Sequence, residues 1–277
     1  MSTGLLGFES VQERQSGVWD YISPSRLNCW IKCPLAFKLR YLDGIRTPPN
    51  ANLFVGKVVH SAMELWYRHH QLGIAIEAAD ITRRLVESWG RAAEEESMTF
   101  ASAADEKVLQ EQALGLVAAY LNQVPADEAR PMAVETTLEM PLVDPSTGED
   151  LGIPLLGIVD LILDESEGPL VADFKTSSRS SEPLEITHEI QLSSYAWLFR
   201  KTQGRSESGL EIRSLIKTKS PKIEIHRYPA RTDAHFRRLF SVIREYLDAL
   251  DSGRFNYRPG FGCTMCDFRS QCCSWAG

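Results

Sequence analysis

With 277 residues, 43% of them hydrophobic and 24% charged, the chain can bury a full core, and its net charge of −7 excludes a surface that binds polyanions everywhere. No apolar run approaches the roughly 20 residues that span a bilayer, and Glu9, Glu13, Arg14 and Asp20 stand where a signal peptide would be apolar. A cytoplasmic protein without a membrane segment is therefore expected, and its six cysteines, gathered at the two ends, point to metal or cluster ligation rather than a disulfide framework.

Residues 1–22 lack periodicity and read as a loose arm. Ser23-Pro24-Ser25 then starts a helix, with Ser23 as N-cap and Pro24 in the first turn, and Cys33-Pro34 breaks it. Val55, Val58, Val59, Ala62, Met63, Leu65 and Trp66 mark one buried face of a helix over 54–70, on which His60 and Glu64 sit four apart. Two more helices are expected at 75–97 and 104–123, so that 50–125 forms a helical insertion or arch. After Pro125 the period changes. Segments 133–143, 153–164 and 169–175 read as an antiparallel meander broken by Asp144 to Gly148 and by Glu165 to Gly168. A helix over 184–201, strands over 209–218 and 222–228, and a helix over 232–251 complete a single α/β core wrapped by helices.

Two constellations carry chemistry. Asp173 and Lys175, one residue apart on a strand, project from the same face, and Phe174 turns the other way into packing. If 153–164 and 169–175 pair across their short turn, Asp160 lies beside Asp173. Two carboxylates with oxygen ligands suit Mg²⁺ or Mn²⁺, with lysine placed to orient or deprotonate a water. Glu135 and Glu64 are further acids whose facing the pattern leaves open. The second constellation is C-T-M-C-D-F-R-S-Q-C, which gives Cys263, Cys266 and Cys272, with Cys33 as a distant fourth thiolate. Spacing alone fits zinc or an iron-sulfur cluster. Cys29 and Cys273 are spare. Lys32, Lys38, Arg40 and Arg46, with Arg254, Arg258 and Arg269, could line a local basic groove, and Trp30, Phe37, Tyr41, Trp66 and Tyr67 are candidates to stack on unpaired bases.

Taken in order, His60, G-I-V-D ending at Asp160, D-F-K at 173–175, and Gln191 with Tyr195 resemble the motifs of the PD-(D/E)XK nuclease superfamily, in particular its RecB-like branch. The resemblance covers most of 23–273. It implies a restriction-endonuclease-like fold with a central mixed sheet flanked by helices, in one domain over 23–277 whose catalytic core is 133–228. It also implies that His60, Asp160 and Asp173 bind a divalent metal, that Lys175 activates water, and that Gln191 and Tyr195 sit against the DNA and the lysine. The four cysteines resemble the iron-sulfur subset of that branch, found in CRISPR-associated and helicase-linked exonucleases. By that likeness Cys33, Cys263, Cys266 and Cys272 hold a 4Fe-4S cluster that joins 255–277 to the Cys33 region. The implied activity is exonucleolytic hydrolysis of DNA at single-stranded ends, with helicase, recombination or CRISPR adaptation proteins as partners. The alternative is a non-catalytic, cluster-bearing DNA-binding or adaptor subunit.

Overall fold

The computed structural model describes residues 17–178 and 184–272. The arm expected over 1–22 falls outside the described residues as far as residue 16. Its remainder is packed: Val18 and Ile22 are buried, and Ile22 bridges to the sheet through hydrogen bonds with Pro154 and Leu156. Ile22 is apolar enough to add to a sheet edge, a contact that no local period announces.

Five strands form one mixed sheet in the order β1 (Pro131–Val143), β2 (Asp150–Glu165), β3 (Gly168–Ser177), β4 (Gly209–Ile216), β5 (Lys222–Pro229). The first three make the expected antiparallel meander, β4 runs parallel to β3, and β5 returns antiparallel. A parallel neighbour needs a crossover, and α6 (Leu184–Thr187) with α7 (Glu189–Gln203) supplies it.

Helices cover both faces. On one side lie α3 (Ala51–Leu72), α4 (Ala78–Glu95) and α5 (Ala103–Leu121), whose Val55, Val59, Met63, Leu85, Trp89 and Leu116 bury against Leu161, Leu170, Ala172, Phe174 and Leu215 of the strands. On the other side lie α1 (Pro24–Lys32), α7 and α8 (Asp233–Ser252), packed on Val159, Ile162, Val171, Leu210 and Ile212. β4 is buried along its whole length, as a strand covered on both faces must be. The Ser23 side chain accepts from the Arg26 backbone N–H at 3.3 Å, so the N-cap is the expected one. Cys33 leaves α1 in an extended conformation, and a second short helix, α2 (Pro34–Phe37), starts at the proline. A π-helical turn follows over Lys38–Leu42. Among the described residues no helix is long and apolar enough to cross a membrane.

Two glycines set how closely the helices approach. A Cβ on Gly56 would stand 2.9 Å from Thr176 Oγ1, and one on Gly157 would stand 2.8 Å from Leu198 Cδ1 and 3.2 Å from Tyr195 Cε1. Gly56 thus seats α3 on β3 one turn before His60, and Gly157 seats α7 on β2 beside Tyr195. Gly157→Ala is expected to destabilise the fold by about 1–3 kcal/mol through overpacking against Leu198 and Tyr195. Urea unfolding checks this, and a wild-type value would show that the seat is not tight.

Candidate active site

The ladder between β2 and β3 runs from Glu165 and Gly168 to Leu161 and Ala172 and stops there. Beyond that rung β2 continues with β1 and β3 continues with β4, so the sheet forks. Asp160 sits in the fork. Its Oδ2 accepts the Phe174 backbone N–H at 2.7 Å, a carboxylate standing where a strand carbonyl would otherwise serve. A fork opens the sheet to both helical layers. From α3, His60 brings Nδ1 to 3.7 Å from Asp160 Oδ2. From α7, Gln191 Nε2 donates to Asp173 Oδ1 at 2.9 Å and to Tyr195 Oη at 2.8 Å.

Asp173 is 2% exposed. Its Oδ2 lies 2.5 Å from Lys175 Nζ as an ion pair, yet it has no partner in hydrogen-bond geometry and keeps lone pairs to offer. Burial, with Asp173 nearby, pushes the Asp160 carboxyl up to about 7, and Lys175 and the Phe174 hydrogen bond only partly offset this. Glu135 is pushed up to about 7 as well, by burial first and then by Asp160 and Glu64. His60 is lowered by burial, against the pull of Asp173 and Glu135. Tyr195 is raised well above the usual phenol by burial and both acids, so its hydroxyl stays neutral.

The structure therefore brings together His60, Asp160, Asp173, Lys175, Gln191 and Tyr195. It also settles Glu135, whose facing the sequence left open. This residue stands in β1 between the Val134 and Thr136 rungs, which pair with Leu161 and Val159, so it lies opposite Asp160. Its φ of +43° is a left-handed value that a glutamate adopts at a cost, and such strain gathers at functional sites. Glu64 is held by Arg68 Nε at 2.7 Å.

Do these groups fit a hard divalent cation? A buried acid pair that retains its protons to neutral pH, beside an oxygen outside hydrogen-bond geometry, is an oxygen-rich site short of positive charge. The residues present fit such an ion, although among the described residues no three His, Cys, Asp or Glu side chains yet close around a common point.

The stretch from Trp30 to Arg40 meets the stretch from Arg258 to Phe268. Arg40 Nη2 pairs with Asp267 Oδ2 at 3.0 Å, Arg40 stacks on the Phe268 ring, and Arg258 covers Trp30 while donating to the Ile31 carbonyl. Cys33 and Cys29 on one side, and Cys263 and Cys266 on the other, are free, half-buried thiols, and Cys272, at the end of the short helix Arg269–Cys272, is half-buried as well. Cys29 is raised chiefly by burial, with Arg40 and Lys32 opposing and Cys33 and Cys266 adding to the rise, so the spare cysteine lies among the predicted ligands. Cys273 lies outside the described residues. Of the aromatic candidates for base stacking, Trp30, Phe37 and Tyr67 are core residues, and only Tyr41 and Trp66 reach the surface in part. Their apolar area packs the helical layers instead.

Five mixed strands between two helical layers, with acids and a lysine meeting at a strand fork, define the restriction-endonuclease-like class of α/β proteins. The chain belongs to the PD-(D/E)XK nuclease superfamily, whose family model matches residues 21–273. A crystal structure from Eubacterium rectale, described as a "putative exonuclease", is similar in fold, with a TM-score of 0.61 over 95% of this chain and 93% of its own at 13% identity. The solved structure of SSO0001 aligns over 80% of this chain and 95% of its own at 18% identity, with a TM-score of 0.40. No curated protein matches.

Proposed function

We propose that this nuclease is a metal-dependent DNA exonuclease of the RecB-like branch, acting on single-stranded ends. The observation that carries the reading is the meeting of Asp160, Asp173 and Lys175 at one fork, with Gln191 bonded to Asp173. In this reading His60, Asp160 and Asp173 hold Mg²⁺ or Mn²⁺, the ions that nucleases of the superfamily generally use. Bound there, the cation would supply Lewis acidity and a more acidic water. Lys175 Nζ, partly open to solvent beside Asp173, orients the water and offsets charge growing on the phosphate. Gln191 fixes Asp173 through its amide N–H, and the neutral Tyr195 hydroxyl fixes Gln191. Residues 23–277 act as one domain, with 133–228 as catalytic core and 50–125 framing the site. Helicase, recombination or CRISPR adaptation proteins would deliver the strand.

We further propose that Cys33, Cys263, Cys266 and Cys272 hold a 4Fe-4S cluster with a structural role, supported by the meeting of the two stretches at Arg40–Asp267 and Arg258–Trp30. Protein purified without oxygen is expected to be brown, with iron and sulfide in equal amounts, and Cys266→Ser is expected to lose both and to melt earlier. Colourless protein holding zinc would overturn the cluster. Digestion of labelled single and double strands with free or blocked ends, in Mn²⁺, tests the activity. Free single-stranded ends are expected to be consumed and blocked circles spared. Equal cutting of circles would overturn the exonuclease reading, and no cutting at all would favour the adaptor alternative.

A further inference from the structure

Beneath the acid pair, on the side covered by α3 and α5, lies a buried polar network that none of the roles above uses. Arg213 of β4 is 3% exposed. Its Nη1 lies 2.7 Å from Tyr67 Oη, 2.6 Å from Tyr120 Oη and 2.7 Å from Glu128 Oε1, and its Nε donates to Glu211 Oε1 at 2.5 Å. Tyr67 Oη donates in turn to Glu128 Oε2 at 2.7 Å, and the two phenol oxygens stand 2.6 Å apart. Tyr120 therefore donates to Tyr67, and both phenols stay protonated because burial drives them upward, Tyr120 to about 12. Four pieces of chain, from α3, α5, the α5–β1 connection and β4, are joined at this one point.

A buried ionic network is weak grounds for stability, since apolar residues of similar volume often hold a fold as well. What it fixes is geometry. The rings of Tyr67 and Tyr120 form the bed on which Phe174 rests, with centroids 6.0 Å and 5.4 Å away, and Phe174 is the residue between Asp173 and Lys175. Tyr67 and His60 are seven residues apart on α3, two turns along the same face, and the His60 ring also touches Phe174 with centroids 6.0 Å apart. The helix is thus pinned at two points, by Arg213 under Tyr67 and by Asp160 and Phe174 at His60.

We infer that Arg213, through Tyr67 and Tyr120, is a positioning residue that sets how far His60 stands from Asp160. This rests on the reading of His60 as a metal ligand. Tyr67→Phe is the sharpest probe, because it keeps the ring under Phe174 and removes only the hydroxyl. Mn²⁺ binding is read directly from the electron paramagnetic resonance of the free ion, and melting is followed in metal-free buffer. Tyr67→Phe is expected to weaken Mn²⁺ binding about tenfold, the scale of losses when a partner behind a ligand is removed. On a His60→Ala background the same change should add nothing further, because both act on one ligand.

A folded Tyr67→Phe that binds Mn²⁺ like the wild type, whatever its melting temperature, overturns the inference while leaving the metal site standing. So does a full additional loss on the His60→Ala background. If His60→Ala itself binds Mn²⁺ like the wild type, the ligand reading falls and the inference falls with it. Should Tyr67→Phe not fold, Tyr120→Phe is judged by the same outcomes, since Tyr120 shares the Arg213 contact and the bed under Phe174.

Discussion

Asp173→Asn is expected to lower the rate of DNA hydrolysis on the order of 10³-fold, the cost of removing a preorganised charge aimed at the reacting centre. Asp173 Oδ1 receives the Gln191 amide N–H, and Oδ2 faces the Lys175 ammonium. An asparagine can keep only one of these contacts: its oxygen satisfies Gln191 and its NH₂ then opposes Lys175, or the reverse. Either way the site loses the negative charge that faces the lysine and that, in the proposed reading, holds the cation. Lys175→Ala is expected to fall as far in rate while keeping Mn²⁺ affinity, because it removes the ammonium that orients the water and offsets charge on the phosphate and, in the proposed reading, spares the ligands. Single-turnover digestion at saturating Mn²⁺ measures both rates. A wild-type rate in either variant would remove that residue from the chemistry.

The second large effect is in the pH dependence of the metal-free protein. Unfolded, Asp160 and Glu135 ionise near their ordinary values of 3.8 and 4.5, whereas in the fold each holds its proton up to about 7. The folded state therefore binds more protons between about 4 and 7, so raising the pH through that window favours unfolding. Stability should be greatest at the acid end of the window, fall toward pH 7 and level off above it. Above pH 7 Mg²⁺ or Mn²⁺ should restore what was lost, because a bound cation offsets the charge that the two acids then carry. Asp160→Asn should flatten part of the slope. Melting temperatures of wild type and variant across pH 5 to 8, with and without Mn²⁺, give the comparison as a difference, so other titrating groups cancel. A gap between the two proteins that is constant with pH would show that Asp160 is not a buried, proton-holding acid.

These two expectations draw on different kinds of information. The D-F-K strand was legible because a strand alternates, so Asp173 and Lys175 had to share a face whatever surrounded them. The Gln191–Tyr195 spacing was legible for the same kind of reason, since one helical turn stacks those positions. Even the meander that carries Asp160 to Asp173 followed from two short turns. The two helical layers followed from apolar stripes at helical spacing, which had to be buried against something.

Glu135, Arg213 and Tyr67 were not legible in this way. Nothing in V-E-T-T says that the glutamate adopts a left-handed φ at the fork, because that conformation is imposed by the pairing of Val134 and Thr136 with β2. Arg213 sits in a strand whose every residue is buried, and its two phenol partners arrive from positions 146 and 93 residues away. The only local hint was two charges, Glu211 and Arg213, in an otherwise apolar run. By itself the sequence determined the elements, the faces they bury and the residue types of the site, since dihedral periods act within a few residues. The tertiary structure alone decided the fork, the facing of Glu135 and the strut beneath Phe174, because these depend on which distant surfaces exclude water together.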